Sequence, residues 1–201
     1  MAAICVFCAS SERIARKHVE VAAQVGSEIA RRGHSLVSGG GRVSSMGAVA
    51  RAAREGGAGT TGVIPEALID LEVADQDADE LVVTPDMRAR KGEMDRRCDA
   101  FLCLPGGLGT LEELLEIWVS HTLGMHAKPI VVLDPDGVFA PLRAQVDSLV
   151  EAGFVRAPAR EVVQWAATPT EALDLIDEGL QRRAPARTVV PVAEELLESE
   201  P

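Results

Sequence analysis

The chain is short of basic charge. Over 201 residues, 20 lysines and arginines stand against 31 aspartates and glutamates, a formal net charge of -11. A nucleic-acid surface needs a basic patch or stripe, and this balance argues against one. An anionic ligand would have to be held by local donors, because the overall field repels it. Long apolar runs are missing as well: no stretch approaches the roughly 20 residues that span a bilayer. The start, MAAICVFCAS, lacks the charged leader and cleavage site of a secretory signal, so a cytoplasmic protein without a membrane partner is expected. Cysteine is sparse. Cys5-x-x-Cys8 lies inside an apolar strand, Cys98 and Cys103 bracket a later one, and there is no second CxxC. The histidines are scattered without ligand spacing, so the cysteines are expected as small buried hydrophobes, with no metal site and no disulfide framework. No GKS or GKT is present, which excludes a P-loop nucleotide hydrolase.

What is present is alternation. Apolar strands are expected at Ala3 to Cys8, Ser35 to Val37, Thr60 to Ile64, Leu81 to Val83, Ala100 to Leu104, Pro129 to Leu133 and Val162 to Trp165. Between them come helical stretches: one capped by Ser10-Ser11-Glu12 and stopped by Gly33, and a small-residue helix from Met46 to Arg54. A short helix follows from Glu66 to Val73, then one capped by Asp86, and two more over Phe139 to Glu151 and Glu171 to Leu180. Strand–helix alternation of this kind predicts a single doubly wound α/β domain over residues 1–181, with a mostly parallel sheet flanked by helices. The Pro- and Glu-rich residues 182–201 are expected as a flexible tail. The acidic run Asp75 to Glu80 reads as a solvated connection.

One junction carries most of the chemistry. Ala100 to Leu104 runs into Pro105-Gly106-Gly107-Leu108-Gly109-Thr110 and then into a helix with Leu111, Leu114, Leu115, Trp118 and Thr122 on one face. Glycines let the backbone approach a ligand, free N–H groups point outward, and the helix dipole favours an anion there. Thr110 followed by Glu113 also spells a capping box, which would give that glutamate a purely local role. The other glycine turn, Gly39-x-Gly41-x-x-Ser44, is an imperfect dinucleotide fingerprint. It follows the second strand, and no acidic residue ends strand three to take a ribose hydroxyl, which argues against dinucleotide binding and leaves close packing as the alternative. In the helix before the central junction, Met87, Met94 and Cys98 form one stripe flanked by Arg90 and Lys91. Those two cations either snorkel over apolar surface or, for the arginine, turn inward to a carboxylate or phosphate.

Together, Met87-x-x-Arg90-Lys91 and Pro105-Gly-Gly-x-Gly-Thr-x-x-Glu113 resemble the signature pair of the LOG family, the cytokinin riboside 5'-monophosphate phosphoribohydrolases, often described as "lysine decarboxylases". The resemblance runs from Cys5 to about Leu180 and takes in Phe7-Cys8-x-Ser10-Ser11, Met46-Gly47, Gly62-Val63-Ile64-Pro65 and Lys128-Pro129-Ile130. It implies a Rossmann-like homodimer, without cofactor, that hydrolyses the N-glycosidic bond of N6-modified AMP to free base and ribose 5-phosphate. It also implies Arg90 and Glu113 as catalytic residues, with Glu72, Arg90, Lys91, Gly107, Leu108, Gly109, Thr110, Leu111, Glu112 and Glu113 as substrate contacts. Ser44-Ser45 stand where many members have Gly-Leu, and Val119 replaces a threonine of plant members. A general AMP or GMP nucleosidase and a non-catalytic nucleotide-sensing module are the alternatives. Decarboxylase chemistry gains nothing from the sequence, since the only lysines are Lys17, Lys91 and Lys128 and none has a pyridoxal phosphate setting. A weak hint of self-association is Ile117, apolar but off the main stripe of its helix.

Overall fold

In a computed structural model, residues 1–69 and 73–182 are described. Seven strands form one sheet: β1 (Ala3–Phe7), β2 (Ser35–Ser38), β3 (Thr60–Pro65), β4 (Glu80–Thr84), β5 (Ala100–Cys103), β6 (Ile130–Leu133) and β7 (Val163–Ala166). Their order is β4-β3-β2-β1-β5-β6-β7, and every neighbouring pair is parallel. The order reverses between β1 and β5, whose register pairs Cys5 with Phe101 and Phe7 with Cys103. A crevice therefore opens beyond the carboxyl ends of these two strands, where a doubly wound sheet takes its ligand.

Because successive side chains alternate across a strand, β1 feeds two cores. Ile4 and Val6 pack with Leu36, Leu102 and Leu133 beneath α1 (Arg16–Arg31), α2 (Ser44–Glu55) and α7 (Pro169–Arg182). Cys5 and Phe7 point the other way, to Phe101, Val132, Met94, Leu114 and Trp118, beneath α3 (Met87–Arg97), α4 (Leu108–Thr122) and α5 (Ala140–Glu151). All four cysteines are buried and unbridged, and burial pushes the Cys5 and Cys103 thiols well above their ordinary range, so neither is a nucleophile at neutral pH.

Several local expectations are corrected. The first helix begins at Arg16 with Ala15 as an uncapped start; Ser10, Ser11 and Glu12 stay in the loop after β1. The helix after β3 is a single 3-10 turn, Glu66–Leu68, and a short helix α6 (Ala157–Arg160) was not foreseen. Asp86 does cap α3, its carboxylate accepting from the Ala89 N–H at 2.8 Å. The small residues of α2 serve a helix–helix approach: a Cβ on Gly26 of α1 would stand 2.3 Å from the Val49 carbonyl oxygen. Asp75 is not solvated. It is buried and takes two hydrogen bonds from Arg54, at 2.8 and 3.3 Å, while Asp79 accepts from the Thr60 N–H at 2.7 Å. The expected tail, residues 182–201, lies outside the described residues apart from Arg182 at the end of α7.

Candidate active site

The site is assembled from strand ends. β1 delivers the loop Cys8 to Ser11, β2 the triple glycine, β5 the turn Pro105 to Gly107, and α3 and α4 bring side chains up beneath them. Between these elements lies a cavity of about 500 Å³. Arg90, Gly107, Leu108, Gly109, Thr110 and Glu113 all border it, so most of the expected site residues converge. Its apolar wall comes from Ile14, Met46, Leu68, Met87 and Val138.

The turn differs from a capping box. α4 starts at Leu108 with Gly107 as its N-cap, and no side chain caps it. Thr110 is already inside the first turn and buried, so close beneath Gly106 that a Cβ there would meet its Oγ1 at 2.1 Å. The first intrahelical bond runs from the Leu111 N–H to the Gly107 oxygen. The N–H groups of Leu108, Gly109 and Thr110 precede it and have no intrahelical acceptor, the arrangement that receives an anion. Glu113 is thereby relieved of any capping duty and sits half-buried at the cavity wall.

Arg90 does not snorkel. It is 4% exposed, its Nε donates to the Val63 oxygen at 3.1 Å and its Nη2 to the Gly39 oxygen at 2.8 Å. The guanidinium is therefore locked by backbone before any substrate arrives. This also settles the second glycine turn. A Cβ on Gly39 would stand 2.0 Å from Arg90 Nη2, and Gly40, with φ +76, backs onto Val63 and Ile64. Gly39 to Gly41 cradles an arginine and a neighbouring strand and is no dinucleotide fingerprint.

Other expected contacts fall elsewhere. Lys91 turns away from the cavity to Glu112 and to Glu116 at 2.7 Å. Burial by itself would lower its ammonium, but hydrogen bonds to these two carboxylates outweigh that and hold it above the usual lysine range. Lys91 instead borders a smaller cavity of about 70 Å³ that it shares with Glu113 and His126. Leu111 packs into the core, Glu112 is exposed, and Glu72 lies outside the described residues. The loop Cys8 to Ser11, with His18 and Val138, also lines the large cavity, and none of these residues was given a site role from sequence. The usable signal was position: that loop leaves β1 at the point where the strand order reverses.

Ser44 explains one departure. Its φ is +52, a conformation that favours glycine, and its Oγ donates to the Ser11 oxygen at 2.7 Å, fastening the start of α2 to the cavity loop. Val119 is 53% exposed and does not reach the cavity.

A family model described as "Possible lysine decarboxylase" matches residues 46–176. A cytokinin riboside 5'-monophosphate phosphoribohydrolase of Mycobacterium tuberculosis is 52% identical over 158 residues, covering 79% of this chain and 84% of that protein. The chain belongs to the LOG phosphoribohydrolase family. An Arabidopsis thaliana LOG enzyme of the same name is 40% identical over 175 residues, 87% of this chain and 81% of that one. The fold extends further: a molybdenum cofactor binding protein of Rippkaea orientalis superposes with a TM-score of 0.68 at 23% identity, covering 88% of this chain and 95% of that one. The decarboxylase wording of the family model has no counterpart in this LOG chain. Among the described residues no lysine lines the large cavity; Lys17 pairs with Asp136 at 2.9 Å and Lys128 with Asp95 at 2.7 Å. No helix of the described residues is long and apolar enough to cross a membrane.

Proposed function

We propose that this chain hydrolyses the N-glycosidic bond of N6-modified adenosine 5'-monophosphates, releasing free base and ribose 5-phosphate, as the names of its LOG relatives suggest. The observation that carries the reading is the convergence of Glu113, Arg90 and the bare amides of α4 on one cavity. The 5'-phosphate is assigned to the N–H groups from Gly107 to Thr110. Anchoring that remote group spends binding energy on placing the sugar.

Cleavage of an N-riboside passes through an oxocarbenium-like state, so a carboxylate near C1' stabilises positive charge and orients the attacking water. Glu113 takes that role. Arg90, fixed by the Val63 and Gly39 carbonyls, borders the cavity and is assigned to pairing with Glu113 or with the ribose. Ile14, Met46, Leu68, Met87 and Val138 suit the flat base and an apolar N6 substituent. Lys91 holds α4 against α3 through Glu112 and Glu116, and it reaches the substrate side only through the small cavity it shares with Glu113. Glu72 is kept as a base-side contact.

The protein acts as a homodimer in cytokinin formation in the cytoplasm. Ile117, the earlier hint, is buried within the protomer; support comes instead from Leu108, Leu115, Val119, Leu123 and Met125, an exposed apolar stripe along α4 and beyond it. Sedimentation showing a monomer at micromolar concentration would remove this support.

The decisive experiment incubates the protein with isopentenyl-AMP, AMP and GMP and measures released base by chromatography. Release from isopentenyl-AMP far above the other two supports the assignment. Equal turnover of all three indicates a general nucleosidase, and binding without release a sensing module.

A further inference from the structure

His18, in the first turn of α1, has no part in the reaction described so far, although it lines the same large cavity as Glu113 and Arg90. Its backbone is fixed on both sides: its N–H donates to the Ala15 oxygen at 3.0 Å, and its carbonyl accepts from Ser45 Oγ at 3.4 Å. Its Nδ1 is buried and has no hydrogen-bond partner among the described residues; the closest countercharge is Asp136 Oδ2, 3.8 Å away. Asp136 is held in turn by Lys17 at 2.9 Å. It sits in the loop after β6, which Asp134 pins by accepting from the N–H groups of Val138 at 2.7 Å and Phe139 at 2.9 Å. An imidazole so placed has one nitrogen within ion-pair distance of a carboxylate while the residue borders the cavity.

Heterolysis of the C1'–N9 bond leaves an electron pair on the purine, and a neutral base departs only if a ring nitrogen is protonated. Glu113 and Arg90 do not supply that proton in the mechanism above: one stabilises the sugar cation and the other is locked to two carbonyls. We propose that His18, oriented by Asp136, is the proton donor to the leaving base, an inference that rests on the hydrolase reading. As C1'–N9 breaks, the His18 imidazolium gives its proton to a purine nitrogen. Water forms the new C1'–O bond and passes a proton to Glu113, which returns through solvent to the imidazole. One water is consumed, and free base and ribose 5-phosphate result. A positioned acid of this kind contributes about 10² to 10⁴ in rate.

The test uses two substrates with the full-length protein. Isopentenyl-AMP loses a base that needs a proton; 4-nitrophenyl ribofuranoside 5-phosphate loses a nitrophenolate that needs none. His18→Gln is expected to lower kcat on the nucleotide about 10²-fold and to leave nitrophenolate release within about twofold. Asp136→Asn should give the same selective loss, about tenfold, with an unchanged melting temperature separating it from misfolding. Equal losses on both substrates, or no loss on either, overturn the proposal while the hydrolase reading stands. Wild-type protein that releases neither product overturns both.

Discussion

Gly39 and Arg90 are matched atom for atom. The Gly39 carbonyl accepts the Arg90 Nη2 hydrogen bond at 2.8 Å, and a Cβ on residue 39 would stand 2.0 Å from that nitrogen. The triple glycine after β2 thus shapes the site through Arg90 without itself lining the cavity. Replacing Gly39 by alanine should displace the guanidinium, cutting base release at least about 10²-fold, because misplacement of about 1 Å carries that cost. Melting temperature together with kcat checks it; near-normal turnover would show that the arginine's position does not matter.

Arg90 and Glu113 should separate on stability. Arg90→Ala leaves the buried Val63 and Gly39 oxygens without their donor, a cost of about 1–3 kcal/mol per abandoned buried group, visible in urea unfolding. Glu113→Gln is isosteric and keeps a hydrogen-bonding side chain in the same partly buried place, so it should cost less stability than Arg90→Ala while activity collapses. Loss of stability in both variants alike would mean that the glutamate is mainly structural.

Ser44 offers a paired comparison. Alanine there keeps the strained φ of +52 and loses the 2.7 Å bond to the Ser11 oxygen, so a loss of about 1 kcal/mol is expected. Glycine loses the same bond but relieves the strain, roughly 1–2 kcal/mol for a left-handed residue, and should be neutral or better. Chemical denaturation ranks the two; alanine equal to glycine would contradict the strain account.

The α1–α2 crossing should tolerate no added carbon. Gly26→Ala places its methyl against the Val49 oxygen and the Ala53 nitrogen, 2.3 and 2.9 Å away, and overpacking of this kind costs about 1–3 kcal/mol. KM for the nucleotide should hold, because Gly26 is not among the cavity residues.

His126 makes stability fall in mild acid. Its ring is committed to one tautomer: Nε2 donates to the Ile117 oxygen at 2.9 Å, and Nδ1 accepts from the Lys128 N–H at 3.2 Å. Burial, with further help from His121 and Lys128, holds its pKa below the ordinary 6.5. The unfolded chain therefore binds a proton first as pH drops, so this contribution is complete above about 6.5 and shrinks below it until the folded-state value is passed. Melting temperature should decline from pH 7.5 to 5.5, and less steeply in His126→Gln. An unchanged slope would locate the acid sensitivity elsewhere.

Much of this molecule is written in short-range pattern. Strand and helix alternation, the Asp86 cap and the strand–turn–helix junction at Pro105 to Thr110 each follow from residues within a turn or two of one another. The residues around Glu113 carried two incompatible meanings, and helix phase alone could not separate a capping box from a ligand-facing carboxylate. An N-cap at Gly107 rather than Thr110 removes the capping box.

What the amino-acid order determined by itself is the α/β layering and the glycine turn that opens α4, because periodicity and glycine chemistry act locally. Only the tertiary structure decided that Arg90 faces inward while Lys91 turns to Glu116, that Gly39 is shaped around Arg90, and that His18 lies beside Asp136. Those relationships join residues 25 to 118 positions apart on different strands' loops and helices. Their geometry arises only when the parallel sheet brings its carboxyl ends together.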